Sequence, residues 1–232
     1  MSQSKPQIPQ LTGSELSWGT RYLLFQLVFL PGMLGALLRG IWSGFPALGI
    51  NLIFYVINFV AIVFILRAYL EKDIAVALEN AGRLILAAIA GLALYWVSNL
   101  ALASAIQRLW PDFFNVNDAT ISAISKDNLL LLGLGTVVFV PVAEELLYRG
   151  MLFGAIRRRS RVLAYLISVA VFCAIHVSGY WGQYEPLHLA LCFVQYIPAG
   201  LILAGAYDFS GSIFAPILIH TSINLMGILS MR

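Results

Sequence analysis

Two adjacent glutamates and an arginine interrupt a strongly apolar part of the sequence. In PVAEELLYRG (141–150), Glu144 and Glu145 are followed by Arg149. Glu145 and Arg149 are spaced i,i+4 and can pair along a helix, whereas Glu144 points about 100° away and has no local partner. An unpaired carboxylate in hydrocarbon costs about 2.5 to 3.5 kcal/mol or more, so Glu144 should face water or another polar group. A carboxylate in that setting can act as the general base of a hydrolysis.

Two histidines and an asparagine also lie inside apolar stretches. His176 is the expected polar neighbour of Glu144, and His220 is followed four residues later by Asn224 on the same helix face. Peptide hydrolysis needs an activated water and donors aimed at the developing oxyanion. An amide and an imidazole N–H one turn apart are suitable donors.

The composition is that of an integral membrane protein. Of 232 residues, 60% are hydrophobic and 11% are charged, and the mean hydropathy is +0.87. Average soluble proteins contain about 25% charged residues. We therefore predict an all-α bundle with about seven transmembrane spans, near residues 22–38, 45–66, 84–106, 128–156, 162–179, 186–206 and 211–231. Residues 1–20 are expected to form a polar N-terminal segment and 21–232 a single transmembrane domain, whose first span is retained and not removed as a signal peptide.

The predicted depths of the polar residues agree. Measured from the inner end of each span at about 1.5 Å per residue, Glu144, His176 and His220 lie about 18, 22 and 14 Å deep. Pro141 and Pro216 stand shortly before polar residues of their spans, and we expect each to bend its helix. Because proline has no N–H, each also leaves one backbone carbonyl without its helical hydrogen bond. Inside a membrane such a carbonyl needs another partner or a water-filled cavity.

The distribution of Lys and Arg between the spans favours a cytoplasmic N-terminus. Nine basic residues fall on the inner side and four on the outer side. The inner residues are Lys5, Arg21, Arg67, Lys72, Arg83, Arg157, Arg158, Arg159 and Arg161, and the outer ones are Arg39, Arg108, Lys126 and Arg232. The run RRRSR (157–161) is interpreted as an anchor at the membrane surface and not as a nucleic-acid site. The segments 69–83 and 109–128 are interpreted as connectors.

Three motifs together resemble a known family. EELLYR (144–149), FCAIH (172–176) and HTSIN (220–224) resemble, in order, the EExxxR, FxxxH and HxxxN motifs of the CPBP family. This family comprises the type II CAAX prenyl endopeptidases and the bacteriocin-processing or Abi-type membrane proteins. The resemblance covers residues 128–231, the predicted core.

The resemblance implies an intramembrane endopeptidase of the glutamic type that uses no metal or other cofactor. Glu144 and His176 would position and deprotonate the water. His220 and Asn224 would stabilise the oxyanion. Glu145 and Arg149 would organise the site. The substrate would be a peptide or a membrane protein, and the short chain resembles the bacterial branch, which places it in the bacterial cell membrane.

Other functions remain open at this point. Two Glu and two His could hold zinc in a metal-dependent intramembrane protease. A membrane scaffold or immunity protein would keep the fold without hydrolysis. The sequence contains neither HExxH nor GxSxG. The Tyr207–Asp208 pair lacks the GxGD partner of presenilin-like aspartyl proteases, so Asp208 is expected to be solvated in a cytoplasmic turn. The sequence leaves the oligomeric state undetermined.

Overall fold

The computed structural model describes residues 7–126 and 128–231. Lys5 and Arg232, both used in the orientation count, lie outside the described residues. The chain is 84% helical, and the described residues contain no strand, which confirms the all-α prediction. Ten helices follow one another along these residues: α1 (Gly13–Val28), α2 (Leu30–Ile41), α3 (Ala47–Ile65), α4 (Arg67–Glu79), α5 (Ala81–Leu109), α6 (Val116–Ser125), α7 (Leu129–Arg157), α8 (Arg161–Ser178), α9 (Pro186–Ser210) and α10 (Phe214–Ser230).

All seven predicted apolar stretches fall on helices, but not all of these helices meet the requirements of a span equally well. Helices α3, α5, α7, α8 and α9 are each long and apolar enough to cross a membrane. Helices α1 and α2 pass the same test only as one bent pair, and α10 is apolar but shorter than 18 residues. The prediction of a helical membrane bundle is confirmed, with five to six helices that satisfy the length and hydropathy test.

The first predicted span is bent and not straight. Helices α1 and α2 meet at Phe29 with an angle of 56°. Pro31 lies in the first turn of α2, where its missing N–H costs nothing, and it disfavours a straight continuation of α1. Helix α1 starts at Gly13, inside the stretch predicted to be a separate polar segment, because Thr12 and Glu15 form a capping box there.

Helix α7 alternates between α and π winding. Its stretches Gly135–Phe139 and Leu146–Phe153 are π-helical. The π pattern continues to the amide of Val140, which bonds to a carbonyl five residues back. Pro141 comes next and has no N–H, so the carbonyl of Thr136 has no helical partner. Pro141 thus follows the π stretch directly, and the carbonyl that it frees belongs to Thr136.

The second proline predicted to bend a span lies at a helix start, so that prediction is wrong. Pro216 is the third residue of α10, where an amide has no acceptor within the helix. Asp73 of α4 caps this end, because its carboxylate accepts from the Ser212 hydroxyl at 2.7 Å and from the Ile213 amide at 3.0 Å. The preceding turn uses Gly211 with φ 77°, a conformation that favours glycine. Helix α4 therefore anchors the last helix.

Asp208, near the end of α9, is buried, and the prediction of a solvated residue is wrong. Its carboxylate accepts hydrogen bonds from Arg157, from Arg161 at 2.5 Å and from the Tyr165 hydroxyl at 3.2 Å. Two guanidinium groups thus compensate for the burial of this acid. The run 157–161 is therefore more than a surface anchor, since it ties the link between α7 and α8 to α9.

The helices that carry the first two motifs form the centre of the bundle. Helix α8 packs along α9, α9 packs along α5, and α10 packs against both α5 and α9. Within an apolar stretch of 18 residues in each helix, 39% is buried in α7 and α9 and 33% in α8, but only 11% is buried in α5. Glu144 and His176 are therefore held by central helices, whereas α5 presents much of its surface to the outside.

Candidate active site

A cavity of about 660 Å³ lies between the helices, and the side chains predicted to do chemistry line it. Glu144 from α7, His176 from α8, and His220 and Asn224 from α10 all contribute to its wall. A smaller cavity of about 190 Å³ shares three of these residues. Four residues from three helices thus face one space inside the bundle.

The larger cavity extends to one end of the bundle. Its lining includes Gly179 just beyond the end of α8, Met231 just beyond the end of α10 and Asn51 in the early part of α3. Because successive spans alternate in direction, these helix ends lie on the same side. The polar residues therefore connect to a mouth on the side opposite the link between α7 and α8.

Glu145 is the centre of a buried charged network. Its Oε1 accepts a hydrogen bond from Nη1 of Arg149 at 3.0 Å and lies 2.8 Å from Nδ1 of His220. Glu145 and Arg149 are fully buried, and His220 is 5% exposed. An ionised carboxylate only accepts hydrogen bonds, so Nδ1 of His220 carries a proton and Nε2 is the nitrogen left for the cavity. The i,i+4 pair was predicted, but the bond to His220 was not.

Arg149 joins three helices. Its Nη2 donates to the carbonyl of Gly200 in α9 at 3.3 Å. Its guanidinium carbon lies 4.4 Å from the centre of the Phe172 ring in α8, a cation–π contact. Together with the bond to Glu145, these contacts fix the side chain in the core. Arg149 therefore holds the helices of the first two motifs and α9 in register.

His176 is held in a defined tautomer and orientation. Its Nδ1 lies 2.7 Å from the carbonyl oxygen of Phe172. A carbonyl only accepts, so Nδ1 is the donor and Nε2 of the neutral ring has a free lone pair. The ring stacks on Tyr196 with centroids 4.2 Å apart and an interplanar angle of 28°. This arrangement suits Nε2 to accept a proton from water.

Asn224 satisfies the carbonyl that Pro141 frees. Its Nδ2 donates to the oxygen of Thr136 at 2.8 Å. One N–H of the side-chain amide is therefore committed to α7, and the second N–H remains for the cavity that Asn224 lines. The bond also fixes α10 against α7, so the position of Asn224 depends on the irregular winding of its neighbour.

Glu144 lines the cavity, whereas Glu145 does not. Each of the two carboxylates has one buried oxygen, Oε2, without a hydrogen-bond partner among the described residues. No hydrogen bond joins Glu144 to His176, its predicted neighbour, although both side chains line the same cavity. A buried carboxylate oxygen requires a polar ligand, and a cavity of this size has room for water and more. Glu144 is therefore placed to bind a water or a substrate group.

The donor set does not fit a metal ion. Among residues 7–126 and 128–231, no group of three or more His, Cys, Asp and Glu side chains is arranged to hold one. The geometry thus gives no support to the zinc alternative.

Sequence reasoning missed several residues around the cavity. Tyr196 positions His176, and Thr136 receives Asn224, but neither belongs to a motif. Asp118, interpreted as part of a connector, lines both cavities. Of these residues, only Thr136 lies next to a signal in the sequence. Pro141 frees a carbonyl in the turn before it, and Thr136 lies in that turn. Cys173 and Cys192 are buried free thiols outside the charged network.

The fold and the cavity define a class of protein: a helical integral membrane protein with acids and histidines gathered at a space inside the bundle. The family model of the type II CAAX prenyl endopeptidase Rce1-like proteins matches residues 126–226. The UPF0177 protein YxdF of Lactococcus lactis subsp. lactis (strain IL1403) is 28% identical over 90 residues, which cover 39% of this chain and 44% of that protein. The chain thus spans less than half the length of this relative. No solved structure is significantly similar to the chain.

Residues 126–226 match the type II CAAX prenyl endopeptidase Rce1-like family, and the resemblance predicted from the three motifs is confirmed. The matched segment contains Glu144, His176, His220 and Asn224. The family is one of endopeptidases, which are hydrolases, so the match supports an intramembrane CAAX-type protease.

Proposed function

We propose that the protein is an intramembrane endopeptidase of the glutamic type, which hydrolyses a peptide bond with a water held in the 660 Å³ cavity. The observation that carries the proposal is the Glu144 side chain, which lines the cavity shared with His176 and has a buried oxygen, Oε2, without a partner among the described residues. The substrate is a peptide or a membrane protein whose scissile bond enters this cavity.

The water is activated by Glu144 and His176. Glu144 accepts one proton of the water, and Nε2 of His176 accepts a hydrogen bond from the other, because Nδ1 of this ring already donates to Phe172. The water oxygen attacks the carbonyl carbon as its proton moves to Glu144. The same proton then passes to the leaving amine, so the products are one carboxylic acid and one amine.

The developing oxyanion is stabilised from α10. Asn224 donates the N–H that Thr136 does not use, and His220 donates from Nε2 when both ring nitrogens carry a proton. Glu145 and Arg149 act through His220, since Glu145 holds Nδ1 and Arg149 holds Glu145. They are positioning residues.

We further propose that the protein lies in a bacterial cell membrane with its N-terminus in the cytoplasm. The excess of basic residues on the predicted inner side supports this orientation. The cavity mouth near Gly179 and Met231 then faces the outer side. Arg157 and Arg161 contribute to the inner side even though both pair with Asp208, because their side chains are 31% and 56% exposed.

The test is to incubate the purified full-length protein with a peptide library and to read new termini by mass spectrometry. The wild type should cleave, and Glu144→Gln should lower the rate by at least about 10²-fold, the usual effect of losing a general base. Glu79→Gln is the matched control, because Glu79 is exposed and lies at the end of α4, away from the cavity. Chelators should leave the cleavage rate unchanged.

Three results would contradict the proposal. Normal turnover by a folded Glu144→Gln protein would exclude Glu144 as the base. Loss of cleavage on chelation, with recovery on adding zinc, would establish the metal-dependent alternative. A cellular phenotype that survives Glu144→Gln would indicate the scaffold or immunity role, which depends on the fold and not on hydrolysis.

A further inference from the structure

Asp118 is an acid of the cavity wall that lies outside the cluster of Glu144, Glu145, His220 and Arg149. Among residues 7–126 and 128–231, the lining contains two carboxylates, those of Glu144 and Asp118, and no Lys or Arg. Asp118 also lines the smaller cavity. Arg149 lies behind the wall, fully buried and engaged with Glu145. The acids of the cluster have His220 and Arg149 as possible cations, whereas Asp118 has no ion-pair partner among the described residues, so a substrate near Asp118 meets a negative potential.

Asp118 is fixed beside the reacting groups by α6 and α9. Its amide donates to Oδ1 of Asn115, the N-cap residue of α6, at 3.3 Å. Its Oδ1 lies 3.4 Å from the hydroxyl of Tyr196, whose ring stacks on His176. Asp118 is thus separated from His176 by a single side chain. A substrate residue a few positions from the scissile bond reaches this carboxylate when the peptide is extended along the cavity.

Apart from the two histidines, the remaining polar lining of the smaller cavity is neutral. The side chains around Asp118 are amides and hydroxyls, namely Asn99, Asn115, Asn117, Gln195, Tyr95 and Tyr196. Asn115 donates from Nδ2 to Oε1 of Gln195 at 2.8 Å, which ties the N-terminus of α6 to α9. Such groups can bond to a peptide backbone but cannot balance a substrate carboxylate. They leave Asp118 as the charge that distinguishes substrates in this part of the cavity.

We propose that Asp118 is a specificity-determining residue that selects peptides with a basic side chain near the scissile bond and disfavours acidic residues or a free terminal carboxylate there. The inference rests on the proposed hydrolysis, whose substrate class it narrows. Because Asp118 is exposed to the cavity, the charge interaction is moderate. Replacing Lys by Glu in the peptide exchanges attraction for repulsion and should change kcat/KM by roughly tenfold at low salt.

The experiment uses the purified full-length protein and pairs of fluorogenic peptides that differ only by Lys or Glu at one position near the cleaved bond. The wild type should prefer Lys roughly tenfold, Asp118→Asn should reduce the ratio to roughly threefold or less, and Asp118→Lys should invert it. Asp112→Asn is the matched control, because Asp112 is an exposed acid of the same connector that does not line the cavity. It should keep the wild-type ratio.

A binding measurement separates this inference from the proposed function. Fluorescence anisotropy of the same labelled peptides with the Glu144→Gln protein reports charge preference without cleavage. Cleavage with a Lys/Glu ratio that Asp118→Asn does not change would overturn the role of Asp118 and leave the hydrolysis intact. If the wild type cleaves nothing, the proposed function fails. The ratio of the dissociation constants of the Lys and Glu peptides, measured with and without Asp118→Asn, still decides whether Asp118 selects charge.

Discussion

The pair Glu145 and Arg149 allows the structural and catalytic roles of the charged network to be separated. Both side chains are fully buried, and their charged atoms are 3.0 Å apart. Replacing Glu145 by Gln leaves the guanidinium without its nearest counter-ion, and breaking one partner of a buried pair costs about 3 to 5 kcal/mol. Arg149→Met should cost a similar amount, because Glu145 then keeps only His220. The two substitutions together remove both charges, so no unpaired charge is left at this position.

The double variant Glu145→Gln/Arg149→Met should therefore be more stable than either single variant, within about 1 to 2 kcal/mol of the wild type. The measurement is reversible unfolding of the purified protein in mixed micelles, followed by circular dichroism, for all four members of the cycle. The two variants that lack Glu145 should lose cleavage, because His220 no longer has a charged partner that fixes it. Arg149→Met should lower cleavage, because Glu145 loses the arginine that holds it. Additive losses of stability in the cycle would refute the coupling, and a fully active double variant would refute the positioning role.

Three further perturbations follow from other contacts. Burial raises the pKa of Asp73 to about 6 from its usual 3.8, so between these pH values the folded protein holds a proton that the unfolded chain releases. The contribution of Asp73 to stability therefore falls as the pH rises from about 4 to about 6. Asp73→Asn should remove this pH dependence from the melting temperature measured across the same range. Asp208→Asn should lower the free energy of unfolding by about 1 to 3 kcal/mol, whereas Arg161→Gln, with an exposed side chain, should cost less than about 1 kcal/mol by the same assay. Asn224→Ala should cost about 1 to 3 kcal/mol, because it leaves the Thr136 carbonyl unpaired, and should lower kcat by about 10² to 10³ in the peptide assay.

Each of these expectations has a contrary result. A pH dependence unchanged in Asp73→Asn would mean that other carboxyl groups cause it. Equal losses in Asp208→Asn and Arg161→Gln would mean that the acid depends on that single arginine. An Asn224→Ala protein that is destabilised but retains full kcat would assign Asn224 to the support of α7 alone.

The helices and the polar residues inside them could be predicted because both depend on local properties of the sequence. Apolar stretches near 20 residues fit the bilayer, and ionisable residues within them are rare enough to stand out. Asp73 and Asp208 lie outside or at the ends of such stretches, where a solvated acid and an acid buried by a distant segment look alike. The amide that Asp73 accepts from is 140 positions away, and Arg157 is 51 positions from Asp208. No local pattern indicates those partners.

The backbone of α7 illustrates another limit. An α-helix bonds each amide to the carbonyl four residues back, so Pro141 would free the carbonyl of Val137. The π winding shifts the bonding by one residue, and the freed carbonyl is that of Thr136. The need for a partner could be predicted, but its location depends on a winding that only packing determines. Asn224 was predicted to be a site residue, but its hydrogen bond to α7 could not be predicted from the sequence.

The network around Glu145 constrains the state in which His220 can serve the oxyanion. Nδ1 of this ring is engaged by Glu145, and a neutral imidazole has a single N–H, so Nε2 can donate only from the doubly protonated ring. With His220 in that form, the two negative charges of Glu144 and Glu145 are balanced by those of His220 and Arg149. A neutral cluster is the arrangement that a buried site tolerates best. In the singly protonated form the same Nε2 would accept a hydrogen bond and compete with His176 for the water. In the proposed mechanism, the separate roles of the two histidines therefore depend on Glu145, a carboxylate that does not itself take part in the proton transfer.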